Sequence, residues 1–200
     1  MHTAATRSAL LDDLVEANHI LFHQGIVDAF GHVSVRSGSD PCRFFMARNL
    51  APGNVSAADI LEYAVETGEA VRADPPRLYL ERYIHSEIYQ ARPDVMAVVH
   101  NHSPAVLPFT IARGARLRAA CHLCGFLGAD GPPLFEIRDH AIYRAVYTEV
   151  NAKLLLQALP LGGVEGLTVG EAEATRETNE GQAARPWNLW KQQARAARGV

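Results

Sequence analysis

Apolar positions recur at helical spacing between residues 6 and 24. Leu10, Leu11, Leu14, Val15, Leu21 and Phe22 form a stripe that also takes in Asn18, and Gly25 follows as a C-cap. The period then changes to two. In VDAFGHVSVRS, Val33 and Val35 alternate with Ser34 and Arg36, which predicts a short strand, and the apolar run CRFFMAR predicts a second. APGNVSAADILEY is dominated by turn signals, with Ser56 as N-cap of a short helical segment opening at Ala57. EAVRADPPRLY, with its two prolines, reads as a loop. Helical spacing returns from Leu78 to Arg92, with Ile84, Ile88 and Ala91 as the buried stripe and Pro93 as the stop. VMAVVHNH then reads as a strand, and FLGADGPPLFEI as a loop followed by a strand. A second long helix is predicted over 139–159, its apolar side carrying Ile142, Val146, Val150, Leu154 and Leu155. From Thr168 the chain is polar and rich in Ala and Glu, closing on an amphipathic piece around WNLWKQQA. The expected division is a domain over 1–167 and a helical tail over 168–200. Strands interleaved with helices point to an α/β domain, with no internal repeat.

Composition narrows the classes. With 200 residues, 48% of them hydrophobic and 20% charged, the chain can bury a full core. A net charge of −3 argues neither for nucleic acid nor for an acidic membrane as partner. No apolar run approaches the roughly 18–20 residues that span a bilayer. Asp12, Asp13 and Glu16 interrupt the N-terminal stretch, so it lacks a secretory apolar region, and the cytoplasm is the expected location. Three cysteines are no disulfide framework. Cys121 and Cys124 form a CxxC, but a zinc knuckle needs a second pair that Cys42 alone does not supply. They read as buried, inert thiols.

The candidate chemistry lies in VVHNHSPA. On a strand, residues i and i+2 leave the same face, so His100 and His102 are expected to point into one space while Asn101 faces away. Glu81 opens the helix ahead of that strand, nineteen residues before His100, and a helix–turn–strand hairpin can fold it back over both imidazoles. A carboxylate with two neutral imidazoles is a common ligand set for Zn²⁺, Mn²⁺ or Fe²⁺. Three ligands leave positions open for substrate oxygens, as catalytic sites do. The competing reading makes Glu81 an N-terminal helix acid favoured by the macrodipole.

FGHVSVR, LERYIHSEIYQARPDV and VVHNHSPAVLPF resemble the class II aldolase/adducin family. The resemblance covers most of residues 8–138 and resumes at YRAVYTEVNAKLLLQALPLG. It implies that Glu81, His100 and His102 bind a divalent metal. It also implies an α/β fold, a three-layer α/β/α sandwich with a mixed, mostly antiparallel central sheet, assembled as a homotetramer with sites at subunit interfaces. Relatives supply a third metal histidine from a Gly-His-Gly segment several dozen residues after FEIRD. Here FEIRDHAIYRAVYTEV passes almost directly into the late helix, and nothing around His140 matches that motif. The fold is therefore expected to be shortened.

The family divides among sugar-phosphate aldolases, epimerases, decarboxylases and non-enzymatic adducin domains. Gly31-His32-Val33-Ser34, with a histidine in the second slot, looks like the decarboxylase branch. Ser34, Arg36 and Arg48 are then candidates for holding substrate, the guanidinium being suited to carboxylates. Both arginines also fit simple surface solvation. Decarboxylation and aldol cleavage alike leave a carbanion stabilised as an enolate, whose charge a divalent ion offsets as a Lewis acid. The carbon must then be protonated. His32, His23 and Tyr147 are the candidates, the histidines because they titrate near neutrality. As alternatives, both histidines fit a satisfied turn or helix end and Tyr147 fits core packing. His19, one turn before His23, is a weaker candidate. His85, four residues after Glu81, fits either a hydrogen bond to that carboxylate or an interior histidine. The expected function is a divalent-metal-dependent lyase decarboxylating a hydroxylated aromatic or ring-cleavage carboxylic acid. A class II sugar-phosphate aldolase and a shortened, non-catalytic binding or assembly module are the alternatives.

Overall fold

The computed structural model describes residues 7–111, 116–128, 141–180 and 183–199. They fall into two compact units. The first carries α1 (Arg7–His23), β1 (His32–Arg36), β2 (Arg43–Ala47), β3 (Ile60–Ala64), α2 (Arg82–Ala91) and β4 (Ala97–His100). The second carries α3 (Leu107–Ile111), a 3-10 turn at His122–Leu127, α4 (Ala141–Ala158), α5 (Val169–Glu180) and α6 (Ala184–Arg198).

In the first unit the strands form one sheet in the order β3-β2-β1-β4. All three ladders are antiparallel, in keeping with the mostly antiparallel sheet expected from the sequence; no parallel pair occurs among the described residues. β3 was not expected. Only Leu61 and Tyr63 are buried along it, too few for a periodic signal, and the strand forms because β2 offers it a ladder from Arg43↔Ala64 to Ala47↔Ile60. The last strand expected from the sequence, in FLGADGPPLFEI, falls largely outside the described residues.

Register decides which side chains meet. Ser34 pairs with both Met46 and Val98, Arg36 with Phe44, Phe44 with Tyr63, and His32 with His100. Paired residues share a face, so the polar side of β1 looks onto the same surface as Phe44, Met46, Leu61, Tyr63 and Val98. Those five belong to the core of this unit, which Tyr89 of α2 joins by packing on Phe44 at 5.3 Å between ring centroids. On the opposite face, Arg7 of α1 lies over the Phe45 ring and pairs with Glu62 at 2.7 Å.

The helices differ from their hydropathy patterns for the same reason. α2 buries His85, Ser86 and Tyr89, whereas Ile84, expected in its buried stripe, is 41% exposed. Because α2 covers the polar side of β1, hydrogen-bond partners rather than hydropathy select its buried face. α1 is buried continuously from Leu14 to Leu21, Asn18 donating to Leu14 O and His19 meeting Val55 O at 2.8 Å. In the second unit α4 buries Tyr143, Val146, Ala152 and Leu155 and leaves Val150 and Leu154 exposed, a stripe rotated from the expected one. Asn151, completely buried, spans Arg118 O and Ala120 N from that helix.

Candidate metal centre

The pairing His32↔His100 places two imidazoles opposite each other across β1 and β4. Their rings stack, with centroids 4.8 Å apart and planes 15° from parallel. Gly31 permits this approach: at φ +98 it carries no Cβ, which would sit 2.6 Å from Val27 Cγ1 and 3.0 Å from His100 O. Glu81 stands at the N-cap of α2 but makes no side-chain cap bond. Its carboxylate instead spans the two rings, Oε2 lying 3.1 Å from His32 Nε2 and Oε1 3.5 Å from His100 Nε2. One ligand atom from each of His32, Glu81 and His100 lies within 4.8 Å of the others, the only such trio or larger group among the described residues. His32 is buried and the Glu81 side chain is 47% exposed, so the trio has a closed floor and an open mouth.

Behind His32 runs a buried chain of hydrogen bonds. His32 Nδ1 meets His85 Nε2 at 2.7 Å, His85 Nδ1 meets Ser34 Oγ at 2.6 Å, and Ser34 Oγ meets Tyr89 OH at 2.8 Å. Burial holds the His85 pKa well below the ordinary imidazole value, and positive charge on either His32 or His100 would push it the same way, so His85 is neutral. Burial likewise raises the Tyr89 phenol. With Nε2 of His32 unprotonated, its Nδ1–H donates to His85 and His85 Nδ1–H donates to Ser34. This direction turns a lone pair on His32 toward Glu81 and His100. Tyr79 closes the other side, its ring 4.7 Å from that of His32 and its hydroxyl donating to Leu50 O.

Several sequence expectations need correction. β4 ends at His100, so the alternation rule does not carry to His102, which is exposed, is grouped with the second unit and is not in the trio. His32, expected as a proton donor, is a member of the trio. Ser34 is completely buried and bonded to His85 and Tyr89, which removes it from substrate contact. Arg36 is not a substrate clamp either. It is buried, stacks on Tyr89 at 4.6 Å, and gives four N–H groups to the carbonyls of Val95, Pro41, Tyr89 and Arg92. His85 uses both ring nitrogens on His32 and Ser34 rather than on Glu81. Arg48 Nε is paired with Asp59 at 2.7 Å, and the guanidinium remains partly exposed. His23 is the exposed last residue of α1, its ring edge-on to Phe22. Tyr147 lies in the second unit, packed on Tyr143 and Trp190, where burial raises its phenol. His85 and Tyr89 as supports of His32 had one legible signal: the i, i+4 spacing from Glu81 puts all three on one helix face.

Two imidazoles and a carboxylate suit zinc, manganese or iron, with an anchored nitrogen behind one imidazole to orient it. The chain belongs to the class II aldolase and adducin N-terminal domain family, whose model matches residues 12–157. It is 32% identical to decarboxylase tropJ of Talaromyces stipitatus over 237 residues, covering 86% of this chain and 89% of that protein. That alignment is longer than this chain, so the relative carries segments with no counterpart here. Over 115 residues, 54% of this chain and 46% of the relative, it is 30% identical to the 3,4-dihydroxyphthalate decarboxylase of Arthrobacter keyseri. Among solved structures, an L-fuculose 1-phosphate aldolase from Glaciozyma antarctica superposes with a TM-score of 0.79 at 20% identity, over 100% of this chain and 95% of that one. The fold is thus the α/β class II aldolase fold. No helix among the described residues is long and apolar enough to cross a membrane.

Proposed function

We propose that the chain is a divalent-metal-dependent carbon–carbon lyase that decarboxylates a hydroxylated aromatic or ring-cleavage carboxylic acid. The convergence of His32, Glu81 and His100, from three separate segments, within 4.8 Å carries this reading. The likeness to two decarboxylases supports decarboxylation over the family's other reactions. Glu81 and His100 hold the ion, His32 is the third donor, and His102 is the further imidazole that the family resemblance adds. Zinc, manganese or iron, if held by these residues, would supply Lewis-acid stabilisation of negative charge developing on the substrate. His85 holds His32 by Nδ1, and Ser34 and Tyr89 hold His85. Arg48 supplies a guanidinium to a substrate carboxylate. Extending the Ser34↔Met46 register by two residues brings it level with His32, and its pairing through Nε leaves the terminal nitrogens to a ligand. The protein acts on its small-molecule acid as a homotetramer.

The test is metal analysis of the purified protein and carbon dioxide release from 3,4-dihydroxyphthalate after loading with Zn²⁺, Mn²⁺ or Fe²⁺. One equivalent of metal per chain is expected, with turnover that follows loading. Protein that binds none of these ions, and whose melting temperature none of them shifts, ends the proposal. A His32→Gln variant that keeps its metal but loses turnover would move His32 from ligand to proton carrier. Metal loss in His102→Ala would place His102 in the ligand set. The second reading, a shortened non-catalytic module, draws on the segments present in tropJ and missing here. It predicts that changing His100 and His102 to Ala leaves assembly and biological activity intact.

A further inference from the structure

The CxxC turn has no part in the function proposed above. Cys124 N–H donates to Cys121 O at 3.0 Å, and this turn brings the two sulfurs to 3.2 Å. Both cysteines are free thiols; Cys121 is partly exposed and Cys124 is completely buried. Cys121 Sγ–H points at Cys124 Sγ, and the single hydrogen of Cys124 goes to the Tyr147 carbonyl at 3.1 Å. The turn is also clamped from outside. Asn179 of α5 donates to His122 O at 2.7 Å, and a Cβ on Gly125 would lie 2.6 Å from Ala172 O and 2.8 Å from Arg176 N. Close backbone packing on that side keeps the turn wound and the sulfurs together.

The two thiols are electronically unlike. The hydrogen-bond contact with Cys124, opposed by burial and helped by the Leu123 and Cys124 amides and by His122, lowers Cys121 to about 6. The same hydrogen bond, with burial, pushes Cys124 up. Cys121 is therefore the more acidic and more accessible thiol, and Cys124 is the buried thiol in contact behind it.

We propose that Cys121 and Cys124 form a reversible dithiol–disulfide site that exchanges with small disulfides of the glutathione type. The Cys121 thiolate attacks one sulfur of the small disulfide, forming a mixed disulfide and releasing the other half as a thiolate. That thiolate takes up the proton lost from Cys121. Cys124, deprotonated by solvent, attacks the Cys121 sulfur and expels the second small thiolate, which takes up the proton of Cys124. The protein dithiol is oxidised, the small disulfide is reduced to two thiols, and no other reactant is consumed.

The test uses the full-length Cys42→Ser chain, equilibrated in glutathione buffers of graded ratio, acid-quenched, alkylated and digested with trypsin. The peptide of residues 119–138 carries both cysteines. It is expected to lose two alkylation sites together, to become lighter by two hydrogens, and to recover with dithiothreitol. Cys124→Ser is expected to stop at the mixed disulfide on Cys121, and Cys121→Ser to leave Cys124 unmodified. In Cys124→Ala, alkylation of Cys121 at pH 7 is expected to slow about tenfold as its thiolate is lost. Two thiols that stay fully alkylatable in oxidised buffer overturn the proposal, as does a disulfide between Cys121 and a second chain. The peptide mass of the Cys42→Ser protein decides this even if the other variants do not fold.

Discussion

β1 carries polar side chains at both ends of one face, under the same helix, and they meet different fates. At the Arg36 end the guanidinium is buried, stacked on Tyr89, and bonded to four backbone carbonyls. At the His32 end one ring nitrogen is anchored by His85, while the other meets a half-exposed carboxylate shared with a second imidazole. Backbone acceptors cannot leave, so Arg36 has little left to offer a ligand. A carboxylate on a solvent-facing side chain can rotate and accept a cation, so the His32 end is free to react. Saturation by fixed backbone marks scaffold; convergence of side chains on an open edge marks a site.

The largest effect is expected at the open end. Glu81→Ala should abolish stoichiometric metal binding and lower decarboxylation by about a thousandfold or more, the scale on which a lost Lewis acid is felt. Because the side chain is half-exposed and its contacts lie at the open mouth, urea unfolding of the metal-free protein should change by no more than about 0.5 kcal/mol. At the closed end the pattern reverses. Arg36→Met should lower stability by about 3 kcal/mol through the carbonyls left without donors, with metal affinity of the folded protein unchanged. If instead Arg36→Met folds normally and loses substrate affinity, the contrast between the two ends is wrong.

Between them, His85→Leu should weaken metal binding or turnover by about 10–100-fold, as loss of an orienting partner does, and Ser34→Ala should do less in the same direction. The smallest effect belongs to Asp59, which pairs with Arg48. The Ser56 hydroxyl, more than Arg48, holds its carboxyl below the ordinary value of 3.8. A depressed carboxyl contributes stability above its unfolded pKa and loses it as pH falls through the folded one. Asp59→Asn should therefore cost about 1 kcal/mol at neutral pH, a difference that closes on acidification below about pH 4. The same variant leaves Arg48 unneutralised, so a change in KM with kcat unaltered would sharpen the assignment of Arg48 to the substrate.

Much of this was legible in the residues. Periodicity marks α1, α4 and the strands around Val33, Phe45 and Val98, because helix and strand repeats are set by neighbours a few positions apart. Glu81 and His100 were legible as a pair, since a helix, a Pro-bounded turn and a short strand restrict how they can approach. β3 was not legible, being too short to show a repeat and dependent on β2. The buried face of α2 was misjudged, since Ile84 outranks His85 in hydropathy but has no partner in Ser34 and His32.

Sequence by itself determined the family, the α/β class, and the presence of a carboxylate and imidazoles at the spacing of a metal motif. Tertiary structure alone decided which imidazole stands opposite His100, that the strand stops before His102, and that Arg36 is spent on backbone. Those outcomes depend on ladder register between β1 and β4, far apart along the chain, and on which helix covers the sheet. No local pattern encodes either, because a shift of one residue in register leaves every local repeat intact and sends each side chain to the other face.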